Sequence, residues 1–190
     1  MSAWMLAIDD RTLPLRKNLC LHLSRPTVRR EPVLAPSPRA SGAPDNLAAM
    51  FYGSVLRDGG RYRMWYHACH RGMNPDWPPD LHRQFARYRD SVLLGPPCYA
   101  ESDDGIAWKR VPLRQVLFKG TTENNALALP HGLTAGVCVI RDDDDPMPAR
   151  RYKMVYQFFP RFSDPPLEGQ GRMSTIATAI SPDGLHWTFV

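Results

Sequence analysis

The 190-residue sequence lacks any apolar run approaching the roughly 18 residues needed to span a bilayer. Its first residues contain only a brief apolar stretch, with no basic residue before it and with Asp9 and Asp10 directly after it. That pattern is not typical of a secretory signal peptide. The sequence therefore predicts a soluble, cytoplasmic protein without a membrane role.

Cysteine is scarce, and the four cysteines are widely spaced at Cys20, Cys69, Cys98 and Cys138. Three of them fall in or beside apolar, strand-like segments, where a free cysteine packs as a small core residue. No disulfide framework is expected. The segment His67-Ala-Cys69-His70, together with Cys98, raises a zinc hypothesis, but it lacks the paired spacing of structural zinc sites. We therefore expect neither a metal nor another cofactor.

The net charge of +5 lacks the distribution typical of a nucleic-acid-binding protein. Residues 1–40 hold seven Arg or Lys against three acidic residues, so most of the excess lies there and the remainder is nearly neutral. Nucleic-acid binders instead carry basic residues interleaved with aromatic residues on one face of the folded domain. We predict no nucleic-acid partner and interpret residues 1–44 as a solvated N-terminal arm.

Two motifs recur in the same order along the chain. One follows the pattern Ser-x-Asp-Gly-[Ile/Leu]-x-Trp, and the other begins with Arg-Tyr and ends with Tyr. An apolar run ending in Arg-Asp precedes each Arg-Tyr motif, at 53–58 and 136–142. The paired segments are Ser102–Trp108 with Ser181–Trp187 and Arg61–Tyr66 with Arg151–Tyr156.

The repeated segments have the composition of β-strands. Nineteen prolines and thirteen glycines enforce many chain reversals, and the segments between them are short and rich in β-branched and aromatic residues. We interpret Asp104-Gly105 and Asp183-Gly184 as two-residue hairpin turns. Trp108 and Trp187, after these turns, are interpreted as packing anchors. The predicted strands are 51–57, 61–67, 98–102 and 107–111 in the first unit and 134–141, 152–158, 174–180 and 186–190 in the second.

A four-stranded antiparallel unit that recurs along a chain is typical of a β-propeller blade. The sequence therefore predicts an all-β fold with one blade at 45–111, an inter-blade link at 112–133 and a second blade at 134–190. Because a propeller needs about 4–8 blades to close, we expect an incomplete ring. Such a chain is expected to expose apolar surface and to self-associate through open blade edges.

The predicted long connections fall on one face of this architecture. They are the N-terminal arm, segments 71–97 and 159–173, and the link 112–133. Long loops on a rigid scaffold usually carry function, so this face is the predicted working face. The acidic run Asp142–Asp145 falls on the opposite face and is interpreted as a solvated turn. Segment 71–97 is either a rim over a pocket, a partner-binding insertion or a variable insertion.

These motifs resemble those of the five-bladed propeller glycoside hydrolases, relatives of the enzymes that cleave fructans, arabinans and xylans. The resemblance covers about residues 45–190, and it indicates a blade fold more specifically than it indicates a sugar. The motifs that carry it are Phe51–Asp58, Tyr62–Tyr66, Tyr99–Trp108, Asn124-Asn125 and Arg151–Tyr156.

The resemblance implies catalysis by carboxylates that reach a central funnel from the inner strands of successive blades. Asp45 matches the first-blade aspartate, as base or nucleophile. The corresponding second-blade position offers His131 and no acid, and the general acid of these families comes from a later blade. Glu101 is interpreted as structural because its counterpart in the repeat is Ile180. The predicted contacts to substrate are Tyr52, Trp77, Asn124, Asn125 and His131.

Two classes of function remain open from the sequence. The first is a fragment of a glycoside hydrolase-like enzyme that uses Asp45 and requires no cofactor. The alternative is a non-catalytic carbohydrate-binding or scaffold propeller, or a remnant without activity. Each residue has a structural interpretation as well. Asp45 after Pro44 can initiate a turn, and Asn124 and Asn125 can cap turns.

Overall fold

The computed structural model describes residues 17–18, 25–72, 74–76, 79, 82, 92–129, 134–158 and 175–190. The chain divides into two units, 1–31 and 32–190. In the first unit, residues 25–31 are exposed and carry no regular secondary structure. In the second unit, the described residues form eight β-strands and a short 3-10 turn at Pro148–Arg150. No helix in the described part of the chain is long and apolar enough to cross a membrane.

The strands form two four-stranded antiparallel sheets, each in the order of the sequence. The all-β prediction with two four-stranded units is confirmed. Sheet 1 contains β1 (Ala48–Asp58), β2 (Arg61–Arg71), β3 (Val92–Ser102) and β4 (Lys109–Arg110). Sheet 2 contains β5 (Thr134–Arg141), β6 (Tyr152–Phe158), β7 (Thr175–Ser181) and β8 (Thr188–Phe189).

The two sheets share one strand register, as expected for a repeat. Trp65 in β2 pairs with Ser54 and Tyr99, and Val155 in β6 pairs with Cys138 and Thr178 at the equivalent positions. The pairs Ala100–Arg110 and Ala179–Phe189 likewise correspond. Trp108 and Trp187 therefore lie at equivalent places, directly before the last strand of each sheet.

Strand β3 begins earlier than predicted, at Val92 rather than at residue 98. Pro96 and Pro97 lie within this strand, although proline cannot donate to a strand ladder. The structure accommodates them beside an irregularity in the pairing with β2, between His67 and Cys69. Residues 92–97, at the end of the predicted long loop 71–97, are consequently strand.

The Ser-x-Asp-Gly segments are not the two-residue hairpin turns that were predicted. Six residues separate β3 from β4, and the first turn is organised by side chains. Ser102 Oγ accepts from Gly105 N at 2.9 Å, and Asp104 Oδ1 accepts from the amides of Ile106 and Ala107 at 2.8 Å. Ser181 and Asp183 make the same bonds in sheet 2. Short polar side chains thus replace strand pairing in both turns.

The main hydrophobic core lies between the two sheets. Trp65 and Tyr99 of sheet 1 pack with Tyr152, Met154 and other alternate residues of sheet 2, because successive side chains of a strand point to opposite faces. Trp187 is part of this core, as expected for a packing anchor. A second, smaller core lies on the other face of sheet 1 and contains Met64, Tyr66, Ala68, Cys98, Ala100 and Ala126.

Polar contacts join strand β2 to the Asp183-Gly184 turn of sheet 2. Trp65 Nε1 donates to the carbonyl oxygen of Gly184 at 2.8 Å, and Arg63 Nη2 donates to that of Asp183 at 2.7 Å. Arg63 Nη1 also donates to the hydroxyl of Tyr152 at 2.9 Å. Sheet 1 is therefore hydrogen-bonded to sheet 2 at the Asp183-Gly184 turn, which belongs to the repeated motif.

The two turn glycines provide a matched test of this contact. Gly184 and Gly105 have φ of 76° and 74°, so alanine at either position carries left-handed strain of about 1–2 kcal/mol. An added Cβ at Gly184 would lie 2.9 Å from Trp65 Cζ2, whereas at Gly105 the nearest atom is Tyr62 Cε2 at 3.6 Å. In urea denaturation, Gly184→Ala is expected to lose at least about 1 kcal/mol more than Gly105→Ala. Equal losses would contradict the tight fit against Trp65.

Candidate functional site

Asp45 lies just before β1 and is completely buried, with 0% of its surface exposed. Its Oδ2 accepts from Tyr66 Oη at 2.9 Å and from Arg110 Nε at 2.8 Å, and Arg110 Nη2 lies 2.6 Å away. Strands β2 and β4 thus fix the carboxylate, and Arg110 compensates its charge. We call Asp45, Tyr66, Arg110 and Asn125 the Asp45 cluster.

The second oxygen of this carboxylate, Oδ1, has no hydrogen-bond partner among the residues that the structure describes. A buried acceptor without a partner is costly, by about 1–3 kcal/mol. Burial raises the pKa of Tyr66 far above its ordinary value, so its hydroxyl remains a donor to Asp45. The arrangement therefore presents one anchored oxygen and one unpaired oxygen.

Asn125 joins the Asp45 cluster, while Asn124 holds the neighbouring link. Asn125 Nδ2 donates to Tyr66 Oη at 2.9 Å and to the carbonyl oxygen of Tyr99 at 2.8 Å. Asn124 Nδ2 donates to the carbonyl oxygen of Val116, and its Oδ1 accepts from Ala126 N, both at 2.9 Å. The bonds of Asn125 attach the link to sheet 1, whereas those of Asn124 lie within the link. The role of both amides in substrate binding stays a prediction.

A depression of about 330 Å³ lies beside the Asp45 cluster. The side chain of Arg110 is 29% exposed, so the cluster is connected to this surface through the guanidinium. The lining residues include Ser41, Pro44, Arg110, Glu123, Asn124 and Asn125.

A larger cleft of about 590 Å³ is lined by residues of both sheets, and on sheet 2 it extends onto the face that points away from sheet 1. Tyr52 borders it and remains 62% exposed, and an added Cβ at Gly136 would lie 3.8 Å from Tyr52 Cβ. Its described lining contains no carboxylate. We call it the inter-sheet cleft, and its lining includes Met50, Tyr52, His67, Cys69, Cys138 and Ile176.

His67 is the buried polar residue of this cleft. It is only 2% exposed, and neither ring nitrogen has a hydrogen-bond partner within the described ranges. Burial lowers its pKa to about 4, so the ring is neutral near neutral pH. Cys69 Sγ lies 3.3 Å from Met50 Sδ. Three or more His, Cys, Asp or Glu that could hold a metal ion do not come together in the described part of the chain.

The predicted site residues thus divide between two places. Asp45 and the two asparagines lie at the Asp45 cluster and its depression, whereas Tyr52 lies at the inter-sheet cleft. Trp77 and His131 lie outside the described residues. Glu101, interpreted as structural, accepts from Arg61 Nη1 and from Tyr99 Oη at 2.5 and 2.7 Å.

Sequence reasoning missed Arg110 and Tyr66, the two partners of Asp45. The repeat carries a signal for Arg110, because the equivalent position in sheet 2 is Phe189. A charged residue in place of an aromatic residue at a repeated position indicates that the side chain has a specific charged partner in that unit. For Tyr66 no such signal exists, since Tyr156 is its counterpart.

Comparison with known proteins gives fold neighbours only, since no protein-family model and no curated protein matches this chain. A "putative glycoside hydrolase" from Bacteroides ovatus is 18% identical, over 88% of this chain and 41% of that one, with a TM-score of 0.47. Another from Parabacteroides distasonis is 18% identical, over 87% and 40% of the two chains, with a TM-score of 0.48. The chain spans about two fifths of the length of these solved structures.

The buried histidines predict a loss of stability in mild acid. Burial lowers the pKa of His67 and His70 from 6.5 to about 4, so their contribution is complete above pH 6.5 and is lost as the pH falls toward 4. For His67 the loss between about pH 7 and about pH 5 is roughly 2 kcal/mol. In urea denaturation, His67→Leu should therefore lose less stability than the wild type over this range. An unchanged pH dependence would show that His67 is protonated as easily in the folded state as in the unfolded chain.

Proposed function

We propose that this chain is a glycoside hydrolase-like propeller protein whose two sheets are adjacent blades, and that it binds carbohydrate in the inter-sheet cleft. The blade arrangement is supported by the shared strand register and by the packing of one sheet face on the other. The motifs that resemble propeller glycoside hydrolases supply the substrate class.

The observation that carries the binding proposal is the position of Tyr52. Its ring is 62% exposed and borders a cleft of about 590 Å³. Ligand sites are typically concave and mainly apolar, with a few polar groups that fix the orientation of the ligand. Here the apolar walls come from both sheets, and the lining includes the imidazole of His67. An exposed phenol ring beside such a cleft can pack against a sugar and hydrogen-bond to its hydroxyls.

The neighbouring Phe51 offers a matched control for Tyr52. Phe51 is 68% exposed, and it borders an apolar groove on the other side of sheet 1 rather than the cleft. With oligosaccharides from inulin, arabinan and xylan as probes, Tyr52→Ala is expected to weaken binding about tenfold or more in titration calorimetry, a loss of about 1.4 kcal/mol. Phe51→Ala should leave affinity unchanged. Equal effects of the two variants, or no binding by the wild type, would contradict the proposal.

Glycoside hydrolysis is a second candidate, favoured by Asp45 Oδ1, which no described residue contacts by a hydrogen bond. Asp45 is paired with Arg110, and its Oδ1 has no partner among the described residues, so the carboxylate is a candidate nucleophile or general base. Hydrolysis also needs a second carboxyl group as general acid, which the resemblance assigns to a later blade. The same geometry serves a purely structural ion pair, and activity measurements separate the two roles.

Asp45→Asn keeps the size of the side chain and removes its charge. If Asp45 is a base or nucleophile, this change is expected to lower turnover of 4-nitrophenyl arabinosides and xylosides about 10²–10⁴-fold. Tyr66→Phe is the control, because it removes a donor to Oδ2 and leaves the carboxylate in place. Similar losses of activity and of thermal stability in both variants would assign Asp45 a structural role.

A further inference from the structure

The face of sheet 2 that points away from sheet 1 is unusually apolar for an exposed surface. Ile140, Val155 and Ile176 are 53%, 44% and 71% exposed, and Val155 and Ile176 also line the inter-sheet cleft. An antiparallel sheet with one solvated face normally carries polar residues there. This face of sheet 2 therefore has the composition of a packing surface rather than of a solvated one.

Sheet 1 has a second open apolar surface, on its face away from sheet 2. A groove of about 440 Å³ lies there, partly bordered by the segment 32–34. We call it the outer groove, and its lining includes Val33, Phe51, Val55, Tyr62, Met64 and Trp108.

Each open surface repeats one half of the interface already formed between the sheets. In the repeat, Ile140 and Val155 of sheet 2 are equivalent to Leu56 and Trp65 of sheet 1. Leu56 and Trp65 pack against sheet 2 in the internal interface. The outer groove is lined by residues of sheet 1 whose counterparts in sheet 2 pack against sheet 1. These pairs are Val55 with Val139, Met64 with Met154, and Trp108 with Trp187.

Charged residues at the open surfaces are also repeat equivalents of charged residues at the internal interface. Within the chain, Asp58 of sheet 1 forms an ion pair with Arg141 of sheet 2. The equivalent residues at the open surfaces are Asp142 on sheet 2 and Arg57 on sheet 1. The two open surfaces are thus complementary in charge as well as in apolar pattern, and both belong to the same chain.

We propose that a second copy of this chain docks head to tail, with the open face of sheet 2 packed on the outer groove of the next copy. Val155 then lies where Trp65 lies in the internal interface, beside the Asp104-Gly105 turn of the second copy. Asp142 pairs with Arg57 across the contact. Because the two surfaces are different, the association is heterologous and extends into rings or open chains.

Two variants, each with one blocked surface, test this arrangement. Val155→Glu places a charge on the open face of sheet 2, and Val55→Glu places one in the outer groove. By light scattering after size-exclusion chromatography, the wild type is expected to exceed the monomer mass, increasingly with concentration. Each variant alone should be a monomer. An equimolar mixture should give a heterodimer of twice the monomer mass and nothing larger, because only one complementary pair of surfaces remains.

The outcomes separate this proposal from other modes of association. A wild type that is monomeric at all concentrations overturns it, as do two folded variants whose mixture stays monomeric. A variant that still associates by itself points to contact between like surfaces and also overturns it. Circular dichroism and a cooperative thermal transition verify folding. If either variant fails to fold, Ile176→Glu and Phe51→Glu block the same surfaces at more exposed positions.

Discussion

The structure depends on the contact between strand β2 and the Ser-x-Asp-Gly turn of sheet 2. Trp65 and Arg63 donate to carbonyl oxygens of that turn, and Trp65 is also part of the inter-sheet core. Hydrophobic packing alone is not directional, whereas these two bonds define the position of one sheet along the other. The internal repeat thereby becomes a stacked pair of sheets with a fixed register between them.

Arg63 makes this contact sensitive to the loss of a single partner as well as specific. Its guanidinium lies over the ring of Trp65, 5.1 Å from the ring centre, and bonds to Asp58, Tyr99 and Tyr152. A largely buried cation is tolerated only when its donors are satisfied, so loss of one partner costs more than the pair itself contributes.

The strands were predictable from the sequence because each is a short apolar segment bounded by turn residues, and because the repeat aligns them in two units. The turn structure was not, since Ser102 and Asp104 bond to amides that strand pairing would otherwise use. The extension of β3 through Pro96 and Pro97 runs against the usual behaviour of proline. The Asp45 cluster was predictable at Asp45 and Asn125 but not at Arg110, which approaches it from another strand, 65 residues along the chain.

The location of the carbohydrate site is tested most directly by a two-dimensional amide NMR titration with xylan, arabinan and inulin oligosaccharides. The account predicts that the largest shift changes lie at Tyr52, His67 and Gly136, which line the inter-sheet cleft. Changes confined to Asn124 and Asn125 would place the ligand at the depression beside Asp45 and contradict it. The absence of any change at millimolar oligosaccharide would contradict carbohydrate binding by this chain altogether.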